Sequence, residues 1–583
     1  MSSCEKCGLF STGKGLTLAL SVLALIASFA LPAPAKRSVI VQGPDLAAVK
    51  AKVAELGGEI THELGLISSV AAKLSDRQLS ALSKGDGISK VYENRTVTSA
   101  AVRGNKRLTS TTTDIAVADD PISVGTFQGY TEFPARIGAD LLHSQGNLGQ
   151  AVTVAVLDTG LNAWPQVIKD SRKRNRLLAH YDATADTLLK SSAYSDQSGH
   201  GTHVTSIVVD ASMDGDGRYN GVAPDVSLVV VKAFDGNGQG SYADVIRALD
   251  WIVANHQTYG IRVLNLSFSA PPHSHYWDDP LNQAVMAVWR AGIVVVASAG
   301  NLGPEPLSVG VPGNVPYIIT VGAMTDSYTP GDSTDDRLAS FSATGPTPEG
   351  FVKPDLVAPG GHINAMMDFF AQIAQDHPEF HDGGQYFMMS GTSQAAAVVS
   401  GAVALLLNSD PDLAPDEVKC RLMASAQAAE SADGGPAYGI LQQGAGLVNA
   451  YEAVRSTASG CANRGLDIAA DLAGEQHYAG PIRSDAEGDF YIHGPDGTLY
   501  SGSFLWSDSF LWSDSFLWSD SFLWSDSFLW SDSFLWSDSF LWSDSFLWSD
   551  SFLWSDSFLW SDSFLWSDSL QEPVAINLWV PQE

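Results

Sequence analysis

The chain has 583 residues, 45% of them apolar and 17% charged, which is enough apolar material for a sizeable core and excludes disorder throughout. With 33 Lys and Arg against 65 Asp and Glu, the formal net charge of −32 argues against a nucleic-acid partner, whose phosphates need a basic face. The charge is uneven: residues 36–100 carry nine basic and seven acidic groups, a net of +2, and residues 101–583 carry 22 and 57, a net of −35.

Residues 1–35 read as a secretory signal peptide. Lys6 and Lys14 precede an apolar run from Leu16 to Leu31, and Ala33-Pro34-Ala35 is a small-residue cleavage site. The run is shorter than the roughly 20 residues needed to span a bilayer, so no stable membrane span is expected after cleavage. Cys4 and Cys7 would leave with the signal. Cys420 and Cys461 remain; a disulfide between them suits an oxidising compartment, and two free thiols are the alternative.

Residues 36–100 read as a small α+β unit. Ser38–Val41 is a strand, and Asp45 caps a helix that runs through Leu56 to Gly57-Gly58. Apolar stretches at 59–66 and 68–74 follow, then a helix from Asp76 and a last strand at Lys90–Tyr92. Residues 101–136 read as a processing or linker segment containing the dibasic pair Lys106-Arg107.

Residues 137–456 alternate short β-branched runs with helical periods. Val152–Leu157, Val226–Val231, Val263–Leu266, Ile293–Ala297 and Tyr317–Val321 predict strands; Ala243–Ala254, Leu281–Ala291 and Ala395–Leu407 predict helices. Continuous apolar strands separated by helices indicate an α/β fold with a parallel sheet covered on both faces and its chemistry at the carboxyl ends of the strands. A linker or small β segment follows at 457–502. From Ser503 to Asp568 the hexapeptide Ser-Phe-Leu-Trp-Ser-Asp repeats eleven times, ahead of a tail at 569–583. In an extended chain Phe, Trp and Asp of each unit share one face. In a helix each unit turns by about 600°, so no apolar stripe forms.

Three segments carry candidate chemistry. Asp158 ends the apolar run Val154-Ala155-Val156-Leu157 and is followed by Thr159-Gly160. His200 lies in Ser198-Gly199-His200-Gly201-Thr202-His203-Val204 at a helix start. Ser393 lies in Ser390-Gly391-Thr392-Ser393-Gln394-Ala395 before the apolar helix. A serine hydroxyl is a weak nucleophile that needs a base within reach, and the base needs a carboxylate to fix its tautomer.

In the order Asp, His, Ser, these motifs resemble the subtilisin-like serine proteases, and the likeness over residues 137–456 is greatest to the bacterial AprX-like subset. Val294-Val295-Val296-Ala297-Ser298-Ala299-Gly300-Asn301 resembles the segment whose Asn completes the oxyanion hole. The resemblance implies catalysis by Asp158, His200 and Ser393, oxyanion binding by Asn301, and substrate binding by Ser267, Phe268, Ser269 and the wall Ala297, Ser298, Ala299 and Gly300. His203 is read as a packed core histidine. Gln394 and Ala397 stand where the family usually has Met and Pro, and Phe268-Ser269-Ala270 where it has Leu-Gly-Gly; the side chains of Ser269 and Ala270 at the glycine positions are expected to narrow or reshape the pocket. Residues 36–100 resemble the family's ferredoxin-like, inhibitor-like propeptides, so the chain's own propeptide is an expected partner beside polypeptide substrates.

No cofactor is expected for catalysis. The family often binds structural calcium; Asp214-Gly215-Asp216-Gly217 resembles a calcium loop but lacks the later Glu, and a surface turn is the favoured reading. The function these features imply is a secreted serine endopeptidase, matured by propeptide removal. The alternative is a catalytically weak or inactive surface or matrix binding protein acting through its aromatic repeat tail.

Overall fold

The computed structural model describes residues 36–82, 87–99, 131–329, 333–430, 436–484, 490–493, 499–501, 579–580 and 582. The signal, Cys4 and Cys7, the dibasic pair Lys106-Arg107 and the hexapeptide repeats lie outside them.

The central strand Thr153–Asp158 is buried along its whole length, as its apolar composition demands. It pairs in parallel with Ser227–Lys232 on one side and Ile261–Leu266 on the other. Val294–Ser298, Ile319–Thr325 and Leu356–Pro359 extend the parallel sheet one way, and Leu177–Asp182 extends it the other. Short antiparallel strands at Arg337–Leu338 and Thr187–Leu188 close the two edges. The predicted strands are all present, shifted by one or two residues except that the last runs four residues past its predicted end, to Thr325; Leu177–Asp182 was not predicted, because His180 and Asp182 interrupt its apolar run.

Helices cover the sheet. The helix Thr392–Ser409, apolar on every side, packs on the parallel strands Ile261–Leu266, Val294–Ser298, Ile319–Thr325 and Leu356–Pro359 and against the helix His200–Val209. It is the one described helix long and apolar enough to cross a membrane, and it is buried in the core. Tyr242–Tyr259, capped by Ser241 and ended by Gly260 at φ +65°, packs beside Pro280–Arg290, capped by Asp279.

Ahead of this body, residues 36–93 form a four-stranded antiparallel sheet carrying two helices. Its strand order is 59–64, 69–75, 36–42, 90–93. Asp45 caps the first helix through the backbone N–H of Ala48, as predicted. The unit has a small core of its own around Val39, Val41, Val49, Val53 and Leu74.

Residues 457–482 pack on the body. Cys420 and Cys461 are disulfide-bonded, with their Cα atoms 5.2 Å apart. Buried Asp471 accepts hydrogen bonds from the hydroxyls of Tyr276 (2.7 Å) and Tyr317 (2.8 Å). The backbone N–H groups of Gly480 and Ile482 bond to the carbonyls of Glu349 and Gly350.

Candidate active site

Asp158 stands at the carboxyl end of the central strand, where a parallel sheet exposes its strand ends. Its Oδ1 accepts from the backbone N–H of Thr159 and lies 2.7 Å from His200 Nδ1, with both side chains buried. That contact makes Nδ1 the protonated nitrogen and leaves Nε2 as the basic one. Among the described residues, His200 Nε2 has no hydrogen-bond partner.

His200 opens its helix after Gly199, which sits at φ +96° and whose Cβ would come within 2.9 Å of Ala371 and Met367. Only glycine suits that turn. Asp196 secures it. One carboxylate oxygen accepts from Thr159 Oγ1 (2.8 Å) and the Gly199 N–H (2.8 Å), and the other from the Thr202 N–H (2.7 Å) and Thr202 Oγ1 (2.7 Å). Asp196 therefore ties the residue after Asp158 to the helix start that carries His200. Sequence reasoning missed it; an acidic residue just ahead of a helix start was the available signal.

Ser393 is the second residue of the helix Thr392–Ser409 and is buried. Its hydroxyl donates to the Ser267 carbonyl oxygen at 3.0 Å. Thr392 joins this helix to Asn301: the Thr392 N–H (2.9 Å) and Oγ1 (2.8 Å) both donate to Asn301 Oδ1. The Asn301 amide nitrogen consequently points the other way, 3.2 Å from where a Cβ on Gly391 would stand. Gly391 keeps that space clear in front of the helix N-terminus, whose free N–H groups favour negative charge.

The predicted substrate-binding residues line the adjoining strands. Ser298 Oγ donates to the Phe268 carbonyl at 3.1 Å, joining the two segments. The Phe268 ring is fully buried against Phe234, with centroids 5.1 Å apart, so it faces the core and not the cleft. The alternation of strand side chains sends it into the core. Ser269 Oγ occupies space next to Gly310 and Gly300, where a Cβ would approach it to 2.0 and 3.0 Å. Ala299 packs with Val309 and Ala343. His203 is fully buried: its ring bridges the Phe387 carbonyl (3.0 Å) and Gln394 Nε2 (3.4 Å), and burial pushes its pKa down to about 3. Gln394, the unusual neighbour of Ser393, is thus His203's partner.

The strand Thr96–Ser99, unpredicted, lies between Gln239–Ser241 and Phe268–Ser269 and is antiparallel to both. Thr98 opposes Ser269 and Ser99 opposes Phe268, so the strand runs to within one residue of Ser267, the partner of Ser393. The unit before it is held by His62 Nε2 to Asp244 (3.0 Å), the Gly65 N–H to Asp250 (2.9 Å), Gln42 to Gln283 (2.8 Å) and an ion pair between Lys90 and Asp278.

No group of three or more His, Cys, Asp or Glu side chains converges as a metal site among the described residues. At the predicted turn, Asp214 accepts from the N–H groups of Asp216 (2.9 Å) and Arg218 (2.8 Å) and from Arg218 Nε (2.8 Å). Its carboxylate is committed to its own loop and a cation, a poor donor set for calcium.

Parallel-sheet strand ends presenting an Asp–His pair, a serine at a helix start and an adjacent Asn define a subtilisin-like serine protease. A model of the subtilase family matches residues 149–446, and the chain belongs to that family. It is 34% identical over 371 residues to serine protease AprX of Bacillus subtilis strain 168, covering 63% of this chain and 75% of that protein. It is 28% identical over 381 residues to subtilisin E of the same strain, covering 64% and 79%. Fervidolysin from Fervidobacterium pennivorans, described as a keratinolytic enzyme related to subtilisin, shares the fold with a TM-score of 0.55 at 23% identity. That alignment covers 73% of this chain and 61% of fervidolysin.

Proposed function

We propose that the chain is a secreted serine endopeptidase made as a self-covered precursor. The observation that carries the reading is the buried Asp158–His200 contact at 2.7 Å, with Nε2 of the same ring left without a partner. Ser393 attacks the scissile carbonyl carbon while His200 Nε2 takes the hydroxyl proton. Asp158 holds the tautomer and stabilises the imidazolium. The oxyanion of the tetrahedral intermediate is met by Asn301 Nδ2 and the Ser393 backbone N–H, a contribution of about 3 kcal/mol per donor. His200 returns the proton to the leaving amine, and water hydrolyses the acyl-enzyme by the same route. No step calls for a cofactor.

Residues 36–99 serve as an intramolecular inhibitor. They dock on the helices Tyr242–Tyr259 and Pro280–Arg290 and lay Thr96–Ser99 along the cleft as an added strand. Their net positive charge against the acidic remainder favours the association and makes it salt-sensitive. Export rests on the signal-like residues 1–35.

The test is Ser393→Ala. The variant should lose casein hydrolysis and fluorophosphonate labelling, and intact mass should find residues 36–99 still attached. Undiminished hydrolysis by the variant would sink the assignment.

A further inference from the structure

Trp579, Val580 and Gln582 lie on the body at a definite place. After the 77 residues 502–578, which include every repeat, Trp579 stacks on His377 with ring centroids 3.7 Å apart and planes within 8°. It also meets Phe380 and Phe387 and packs on a buried apolar cluster of Met367, Ala371, Ile373, Ala374 and Met389. Val580 is only 5% exposed and belongs to the main core. The Gln582 carbonyl accepts from Tyr328 Oη at 2.8 Å, and Gln582 Oε1 accepts from Ser390 Oγ at 3.0 Å.

The surface they occupy is the excursion between the paired strands Ile363–Met366 and Tyr386–Met389. That excursion touches both sides of the active site. Met367 and Ala371 pack where a side chain on Gly199 would stand, and the N–H groups of Gln372 and Ile373 bond to the carbonyls of Gln197 and Ser198, just before His200. Ser390, which bonds Gln582, also accepts from the His362 N–H at 2.7 Å and lies three residues before Ser393.

We infer that Trp579, Val580 and Gln582 form a clasp for the 363–390 surface. The partner this apolar surface fits is the chain's own segment at Trp579, Val580 and Gln582. An aromatic ring stacked on a histidine and a valine sealed in the core supply the attachment, and two hydrogen bonds set its register. The clasp braces from behind the two loops that carry His200 and Ser393. A cut within the repeats would leave it seated.

Hydrogen exchange followed by mass spectrometry on the full chain tests this without reference to activity. Relative to the wild type, Trp579→Ala and a chain ending at Asp568 should both exchange faster, by roughly tenfold or more, at amides within 363–390 and not in the central strand Thr153–Asp158. Adding a synthetic peptide of residues 571–583 to the shortened chain should restore protection, and the same peptide with Trp579→Ala should not. Unchanged exchange at 363–390 in both variants, or equal rescue by both peptides, would overturn the inference.

Discussion

Ser267 and Ser393 are reciprocally bonded: the Ser393 hydroxyl donates to the Ser267 carbonyl at 3.0 Å, and the Ser267 hydroxyl donates to the Ser393 carbonyl at 2.9 Å. The pair is anchored further back. Asn265 Nδ2 donates to Ser267 Oγ, and Ser400 Oγ to Asn265 Oδ1, each at 2.8 Å. The carboxyl end of the strand Ile261–Leu266 is thus locked to the helix that carries Ser393. Turning the Ser393 hydroxyl from Ser267 toward His200 exchanges one hydrogen bond for another, so the cost of arming the site is about 1 kcal/mol or less.

Ser267→Ala follows from this chain of bonds. It removes the donor to the Ser393 carbonyl and leaves buried Asn265 Nδ2 without its acceptor, a loss of about 1–3 kcal/mol. Urea unfolding should report that loss. Fluorophosphonate labelling of Ser393 should persist, since the attacking oxygen and its base are untouched.

Asn301→Ala should lower kcat by about 10²–10³ with little change in KM, because the donor acts on charge that develops only in the transition state. Thr392→Val tests the support for that donor. It deletes the Oγ1 bond to Asn301 Oδ1 but keeps the backbone one. A smaller fall, roughly tenfold in kcat, is expected in peptide hydrolysis. An equal loss in KM would instead mean that Asn301 binds the ground state.

The parallel sheet was legible because its strands are short, continuous and β-branched, as strands buried on both faces must be. Asp158, His200 and Ser393 were legible because each ends a strand or opens a helix amid small residues. What escaped was pairing across long separations. Thr96–Ser99 looks like the polar end of a linker, and only the body's strand edges make it a strand. Asp196 reads as one of many loop acids until its four donors are in place. Phe268 looked like a pocket residue because composition does not say which face of a strand the ring will take.

His203 makes stability depend on pH. Burial, with neighbouring His200 adding to it, holds its folded pKa at about 3, against about 6.5 for an unfolded histidine. Between these values the unfolded chain binds a proton that the folded chain does not, so stability falls as pH drops below about 6.5. At pH 5 the loss from this group is on the order of 2 kcal/mol. Urea midpoints at pH 7 and pH 5 should differ more in the wild type than in His203→Gln, which cannot titrate.

The bond between Cys420 and Cys461 closes a loop with a sequence separation of 41, tying the helix Pro415–Ser425 to the segment beyond residue 456. On a chain-entropy account a loop of that length contributes about 4 kcal/mol. Cys420→Ser with Cys461→Ser should therefore lower Tm by roughly 5 °C for a body of this size. Reductant should lower the wild type similarly and leave the double variant unchanged.

Val97 offers a way to uncover the site without touching it. Its side chain is fully buried in the cleft strand, opposite Gly240. Val97→Asp would bury an unpaired carboxylate there, which costs several kcal/mol unless the strand lifts away. Residues 36–93 keep a separate core and dock on the body at other places, through buried Ile40 and Leu64 and the hydrogen bonds to Asp244 and Asp250, so the unit itself should stay folded. In the full chain, fluorophosphonate should label Ser393 faster in Val97→Asp than in the wild type. Added salt should narrow that gap by weakening the Lys90–Asp278 ion pair and the attraction of the +2 segment in the wild type. Equal labelling rates at low salt would mean that Thr96–Ser99 does not obstruct the active site.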